Sequence, residues 1–262
     1  VNASENWDRW NKIVNSMSTE GESIKIAMVG KYVTLADSYV SVNHALKHAG
    51  ASIGRPIEID WIDSETLNGN INTLGKYGGV LVPGGFGTRG SEGIINTANF
   101  ARENNIPYLG ICFGFQLAAV SFARNVCELS NANSTEIDDK TECPIIDLLP
   151  EQDEVSDMGG SLRLGANKIN IEKQTNAHQI YQCEFISKRH RHRYEFNTNY
   201  LDQFNEKGMI FSGESDNGRR MEILEIPSHK FFMGVQFHPE FSSRPGFPEQ
   251  MFKAFTTAAT QN

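Results

Sequence analysis

Pro107-Tyr-Leu-Gly-Ile-Cys112-Phe-Gly-Phe-Gln116 is a short apolar run that ends abruptly in a cysteine bracketed by Gly110 and Gly114. The pattern predicts a strand that turns sharply into a helix with a thiol at the corner. Glycines suit such a turn, because the corner's backbone is strained and its neighbours must approach without Cβ atoms. The sulfur is then presented at the N-terminus of the following helix. There the dipole and unpaired N–H groups favour a thiolate and can hold a developing oxyanion. The outline is that of an acyl-transfer site. Gly-x-Cys-x-Gly is short, however, and with 23 Gly and 4 Cys in 262 residues about 0.03 random matches are expected. A buried cysteine acting as a small hydrophobe is the plain alternative.

Upstream of this corner the chain reads as strand and helix in alternation. Ile24-Lys-Ile-Ala-Met-Val-Gly30 is a near-continuous apolar run, the pattern of a strand buried on both faces. With Asp37 as a plausible cap, Tyr39, Val42, Leu46 and Ala49 recur at helical spacing before Gly50. Ile57-Glu-Ile-Asp-Trp-Ile62 alternates as a second strand, which gives the strand–helix–strand grammar of a doubly wound sheet. Gly79-Val-Leu-Val-Pro-Gly-Gly85-Phe-Gly-Thr-Arg-Gly90 is a strand running into a glycine-dense loop, followed by a helix around Ile94 to Asn104. The loop matches no phosphate-binding fingerprint. Its bare N–H groups can instead form a nest beside the next strand end, where Cys112 sits, because neighbouring strand ends of an open parallel sheet share one crevice.

Downstream, Leu117, Val120 and Phe122 continue a packed helix whose first turn carries Gln116. Asn131 to Glu136 is polar and irregular, so Glu136 reads either as a site acid or as a solvated loop carboxylate. The acidic run Glu151 to Asp157 has no periodicity and reads as a surface loop. Gly160 to Ile171 looks like strand material interrupted at Gly165. Lys188-Arg-His-Arg-His-Arg193 concentrates positive charge, and its arginines would repel a metal cation. A basic wall around a carboxylate-bearing small molecule fits it, and a strand edge pairing with acids such as Glu195 is the alternative. Asp216-Asn-Gly-Arg219 signals a hairpin between Met209–Phe211 and Met221–Ile226. The last strand, Phe231 to Phe237, runs directly into His238-Pro-Glu240. A histidine at a strand end, with an acid two residues on and Pro239 stiffening the link, can take a proton from a thiol while the carboxylate orients its ring. Nucleophile, base and orienter then follow in the order Cys112, His238, Glu240.

Composition bounds the rest. The formal net charge of −8 argues against a general nucleic-acid or anionic-membrane binder, which needs a basic footprint. No apolar run approaches the roughly 18 residues of a membrane span. The four cysteines, Cys112, Cys127, Cys143 and Cys183, are widely spaced without a Cys-x-x-Cys pair. That pattern indicates neither a zinc site nor a disulfide framework, and it suits a reducing, cytoplasmic setting. Residues 1–23 read as a polar linker carrying one short amphipathic helix on Trp7, Trp10, Ile13, Val14 and Met17. With no initiator Met, the expectation is a piece of a larger protein whose other part lies N-terminal, and residues 24–262 form the domain that carries the chemistry.

Gly110-Ile-Cys112-Phe-Gly114-Phe-Gln116, Pro83-Gly-Gly-Phe-Gly87 and Gln236-Phe-His238-Pro-Glu240 together resemble the class I glutamine amidotransferases of the triad type. Gly30-Lys-Tyr32, Ala132-Asn-Ser-Thr-Glu136, Leu162-Arg-Leu-Gly165, Arg189-His-Arg-His-Arg193-Tyr-Glu195 and Phe237 to Pro245 narrow the likeness to the glutaminase domains of CTP synthases, over essentially Ile24 to Ala259. The resemblance implies an open, mostly parallel, flavodoxin-like sheet flanked by helices. It implies that Cys112 attacks the side-chain amide of glutamine, that His238 shuttles the proton and that Glu240 orients His238. By the same likeness the backbone of Gly85 and Phe113 holds the oxyanion. Gln116, Glu136 and Arg193 bind the amino-acid end of the substrate, with Gly114 and Phe115 as further substrate-binding positions of the same turn. The family usually carries leucine and methionine where this chain has Phe113 and Phe115, so bulkier rings are expected to reshape the pocket wall. No metal and no cofactor are implied for this domain. ATP and magnesium belong to an amidoligase domain that converts UTP to CTP with the released ammonia, with GTP as allosteric activator and a homo-oligomeric whole enzyme. A cysteine peptidase or γ-glutamyl hydrolase on a related framework is the alternative, separable by ammonia release from free glutamine.

Overall fold

The computed structural model describes residues 7–8, 10–11, 13–15, 22–35, 37–67, 69–148 and 162–261. Among them, nine strands form one sheet. Its first half is parallel, in the order β2 (Ile57–Asp63), β1 (Ile24–Gly30), β3 (Gly79–Val82), β4 (Tyr108–Ile111) and β12 (Phe232–Val235). All four residues of β3, of β4 and of β12 are buried, as the continuous apolar runs require of strands covered on both faces. From β12 outward every pairing is antiparallel, through β11 (Arg220–Glu225), β10 (Ile210–Ser215) and β7 (Arg163–Ile171) to the edge strand β8 (Phe185–His192). The sheet is therefore mixed, and the expectation of a mostly parallel one holds only for its first half. Within the antiparallel half, β10 and β11 are joined directly by the Asp216–Arg219 turn, since antiparallel neighbours need no crossover helix.

Helices cover both faces. On one, α2 (Ser91–Glu103) and α3 (Phe113–Asn125) pack with Val80, Val82 and Phe232 into a core that also holds Phe196, Phe204 and Phe211. Residues 113–123 of α3 are all buried, so this helix is covered around its whole circumference and runs through the interior. On the other face, α1 (Val40–Ser52) and the C-terminal α6 (Gln250–Ala259) cover Ile26, Met28, Leu109 and Ile111. The short helices α4 (Asn176–Tyr181) and α5 (Leu201–Glu206) complete the layers. A small second sheet joins β5 (Ala132–Ser134), β6 (Cys143–Asp147) and β9 (Glu195–Phe196).

Several local expectations change. The residue that caps α1 is Tyr39 rather than Asp37, without a side-chain cap, and the helix continues past Gly50 to Ser52. Strand β7 passes through Gly165, whose φ of +83° is tolerated opposite His190, so the glycine bends the strand without ending it. Asn131 to Glu136 is not wholly irregular, since Ala132–Ser134 pairs with β6. In the leading segment Trp7, Trp10, Ile13 and Val14 are helical, with both tryptophans and Val14 exposed. Met17 and the acidic run Glu151 to Asp157 lie outside the described residues, as do Gly160 and Ser161. Among the described residues no helix is long and apolar enough to cross a membrane.

Candidate active site

The chain leaves β4 for α3 through Cys112 alone. Cys112 has φ 51° and ψ −99°, a backbone state that costs a non-glycine residue about 1–3 kcal/mol and persists where the surroundings enforce it. Here its N–H donates to the Val235 carbonyl at 2.7 Å, which ties the corner to β12. A Cβ on Gly110 would lie 2.7 Å from the carbonyl of Gly114, and one on Gly114 would collide with the Val82 carbonyl and sit 3.0 Å from the Val82 Cβ. The two glycines thus let β3, β4 and the first turn of α3 close around the corner. Tyr108 adds a buried hydrogen bond from its hydroxyl to the Gly114 carbonyl, 2.9 Å.

His238 reaches Cys112 from the neighbouring strand, because β12 lies beside β4 and its chain continues for three residues beyond Val235. The His238 N–H donates to the Arg189 carbonyl at 2.8 Å, and the 3-10 turn Pro239–Ser242 then brings the Glu240 carboxylate to 2.8 Å from the His238 Nδ1. Burial disfavours a charged imidazole, but hydrogen bonds and attraction to Cys112 and Glu240 outweigh it and lift His238 to about 10. The ring therefore keeps its proton through neutral pH, the state that pairs with a thiolate and can later protonate a leaving amine.

The glycine-dense loop after β3 arches over this pair. A Cβ on Gly84 would lie 3.1 Å from the His238 Cε1 and 3.8 Å from the Cys112 Cβ, and one on Gly85 3.5 Å from the Phe113 ring. Among the described residues the N–H groups of Gly85 and Phe113 have no protein acceptor. The loop is held from both sides: Lys31 Nζ donates to the Phe86 and Gly87 carbonyls, while the Gly87 N–H donates to Glu136 Oε1 at 2.8 Å. Lys31 is buried, its ammonium 4.1 Å from the centre of the Phe113 ring. Burial pushes it down to about 8, with Glu136 acting the other way.

A cavity of about 1020 Å³ opens from Cys112, His238 and Glu240 past Gly85 to Gln116, Glu136 and Arg193. Burial raises the Glu136 carboxyl above its ordinary range against the pull of the Gly87 N–H, Lys31 and Arg193. Arg193 Nε is buried with no hydrogen-bond partner in the protein, a donor left for a guest. Gln116 spends its amide N–H groups on the Tyr194 carbonyl, 2.9 Å, and on Gln236 Oε1, 3.1 Å. It can therefore offer a ligand only its carbonyl oxygen. Strand alternation sorts the basic cluster: Arg189, Arg191 and Arg193 line the cavity, whereas His190 points into the interior to meet Glu222 at 2.8 Å. Glu222 is held down to about 2: burial works against its charge, and His190, Arg163 and Ser215 prevail. Glu195 pairs with Arg220 at 2.5 Å rather than with the cluster's arginines.

The expected residues do not all reach the cavity. Cys112, Gly85, Gln116, Glu136, Arg193, His238 and Glu240 line it. Phe113 faces Lys31 and the loop, and Phe115 lies in the core against Phe211 with its ring fully buried. Gly114 is wedged against Val82. These three can act only through backbone N–H groups at the start of α3, and neither ring shapes the pocket wall as the sequence suggests. Two polar residues with no role in the sequence reading belong to the site, Lys31 and Gln236. Each is a buried polar side chain just beyond an apolar strand, at the carboxyl end where α/β crevices form, and that placement was the available signal. Among the described residues no group of three or more His, Cys, Asp or Glu side chains could hold a metal ion.

A family model described as "Glutamine amidotransferase class-I" matches residues 34–258. The chain is 50% identical to a CTP synthase of Archaeoglobus fulgidus over 259 residues, covering 99% of this chain and 49% of that protein. It is 48% identical to a CTP synthase of Bacillus subtilis over 254 residues, covering 96% of this chain and 48% of that protein. The chain thus spans about half the length of these curated relatives. A solved structure described as a Trypanosoma brucei CTPS glutaminase domain with bound acivicin superposes with a TM-score of 0.86 at 36% identity, covering 92% of this chain and 95% of the other. With that match extending over nearly the whole length of both chains, this chain belongs to the class-I glutamine amidotransferases, in the branch formed by the glutaminase domains of CTP synthases.

Proposed function

We propose that Cys112, His238 and Glu240 hydrolyse the side-chain amide of L-glutamine through a glutamyl thioester. The observation that carries this reading is the convergence of a strained Cys112, a proton-holding His238 and its Glu240 partner at one end of a cavity. At the other end lie a half-buried carboxylate and an orphaned guanidinium N–H. A zwitterion needs both: Glu136 and the Gln116 carbonyl for the ammonium, Arg193 for the carboxylate. The thiolate attacks the amide carbon, and the oxyanion forms against the N–H groups of Gly85 and Phe113. His238 gives its proton to the departing ammonia, then takes one from the water that cleaves the thioester, leaving glutamate and the free thiolate. Acivicin, a glutamine analogue bound in the T. brucei relative, supports a glutamine-shaped site.

We further propose, from the likeness to CTP synthases, the setting in which this domain works. The ammonia is delivered to an amidoligase domain that uses ATP and magnesium to convert UTP to CTP, with GTP activating and a homo-oligomeric, cytoplasmic whole enzyme. Residues 1–23 serve as the connection to that domain. The test is direct: the chain releases ammonia and glutamate from L-glutamine, a glutamine-like electrophile labels Cys112, and Cys112→Ala abolishes release while the fold persists. Turnover of γ-glutamyl peptides without ammonia release from glutamine, or labelling at Cys127, Cys143 or Cys183 instead, refutes it.

A further inference from the structure

Gln236 follows the last residue of β12 and is fully buried. Its backbone N–H donates to the Glu222 carbonyl at 2.9 Å, which fixes the base of the side chain. Its amide lies between two groups of the site: Nε2 is 3.6 Å from Cys112 Sγ, and Oε1 is 3.1 Å from Gln116 Nε2. Donor and acceptor inventories allow one orientation. The Tyr194 carbonyl can only accept, so Gln116 must turn its NH2 toward it, and that same NH2 faces Gln236. The Gln236 atom opposite must then be the oxygen, and its own NH2 is turned to the sulfur.

The proton transfers proposed above use His238, and the oxyanion uses the corner N–H groups; this amide enters neither step. Besides His238, which is hydrogen-bonded to it, the sulfur meets the Arg191 carbonyl at 3.9 Å, an acceptor that favours the protonated thiol. An N–H directed at sulfur favours the thiolate, because a hydrogen bond to the charged form stabilises that form. Negative charge resides on the sulfur twice per turnover, before attack and again when water expels it from the thioester. From these contacts we infer that Gln236 is a catalytic residue whose amide N–H stabilises the Cys112 thiolate at both moments, held in that orientation by Gln116. The inference rests on Cys112 being the nucleophile, as proposed above.

The test is the pH profile of Cys112 alkylation by iodoacetamide, followed by mass spectrometry of the Cys112 peptide, in the unaltered chain and in Gln236→Met, which keeps the shape and removes the donor. On the acid limb the variant is expected to react about tenfold more slowly, the loss of one charge-assisted hydrogen bond. The deficit closes at alkaline pH, where the thiolate forms regardless. Glutamine turnover falls in parallel. An unchanged profile overturns the inference, and so does a variant that is slow at every pH, which would mean that Gln236 only positions the sulfur by packing. Gln236→Glu, an acceptor of the same shape, is expected to show the larger deficit and carries the same two refutations if the methionine variant does not fold. In the unaltered chain the Gln236 side-chain amide proton is expected to shift in the NMR spectrum as Cys112 ionises and to stay put in Cys112→Ser; a resonance that does not move refutes the inference without any substitution at Gln236. Should iodoacetamide modify Cys112 with no loss of glutamine hydrolysis, the nucleophile assignment fails instead, and the two failures are told apart.

Discussion

Glu240→Gln isolates the charge of the orienting carboxylate, because glutamine keeps its shape and an oxygen that can accept from His238. The native contact is 2.8 Å, and the carboxylate is almost wholly buried. A hydrogen bond to a charged partner contributes about 1.5–3 kcal/mol net. At 1.36 kcal/mol per unit, its loss lowers His238 by about 1–2 units, from about 10 to roughly 8–9. Since the imidazolium donates the proton to departing ammonia, the alkaline limb of kcat/KM for glutamine hydrolysis moves down by the same interval. The same energy, withdrawn from the transition state, lowers kcat at neutral pH by about ten- to a hundredfold. Stability follows with a definite sign. The folded-state value lies above the ordinary 6.5, so the interaction stabilises the fold fully below 6.5, and its contribution is lost as pH rises through about 10. The variant's urea midpoint is therefore lower than that of the unaltered chain at mildly acidic and neutral pH, and the two converge above pH 10. Rate profiles and urea titrations across that range are the assay. An alkaline limb that stays in place, or a stability deficit that widens toward alkaline pH, refutes the reasoning.

Gly114→Ala places a Cβ against the Val82 carbonyl and 3.0 Å from the Val82 Cβ; about 1–3 kcal/mol of stability is expected to be lost, read from the denaturant midpoint, together with slowed Cys112 alkylation. An alanine tolerated at no cost would mean that the corner is looser than described. Arg193→Met and Glu136→Gln each remove a charge from the amino-acid end of the cavity, and each is expected to raise KM for glutamine by about ten- to a hundredfold. A fall in kcat alone at either position would place the substrate elsewhere. Lys31→Met cuts the donors to the Phe86 and Gly87 carbonyls and is expected to lower kcat by at least about tenfold through the loop that carries Gly85. An unaltered kcat would show that the loop holds its shape without Lys31.

What the sequence discloses follows from how local the signal is. The strands β1, β3, β4 and β12 are legible because each is buried on both faces, apart from Lys25 in β1, and reads as a nearly continuous apolar run. The corner at Cys112 is legible because Gly110 and Gly114 answer a steric demand within four residues. The antiparallel half of the sheet is less so. A hairpin such as β10–β11 announces its own turn at Asp216–Arg219, but nothing local says that β11 pairs with β12, which is what converts a parallel sheet into a mixed one. The same holds at the site. His238 is a triad candidate from the order of residues, yet its approach to Cys112, 126 positions away in the chain, depends on β4 and β12 being neighbours. The basic cluster on β8 shows the opposite limit. Its period of two is visible, but with arginines on one face and histidines on the other, polarity alone does not say which face is inside. The acids at Glu222 and Glu195, buried and held by Arg163 and Arg220, decide it.

Glu136 links the two ends of the proposed reaction. Its carboxylate already holds the Gly87 N–H, and Lys31 holds the carbonyls on the same stretch of backbone. The loop that carries Gly85 is thus anchored by the group that would receive the substrate's ammonium. Burial raises the pKa of that carboxylate against the pull of Lys31 and Arg193, and an arriving ammonium would add to the charge that favours its ionised form. The ionised form of Glu136 accepts the Gly87 N–H more strongly than the neutral form. A substrate with a free α-amino group would therefore tighten the loop over the corner where its amide carbon lies, and an amide without one would meet the same thiolate under a looser oxyanion hole. On the proposed reaction, selection for glutamine over other amides would then fall on the rate of thioester formation as well as on binding.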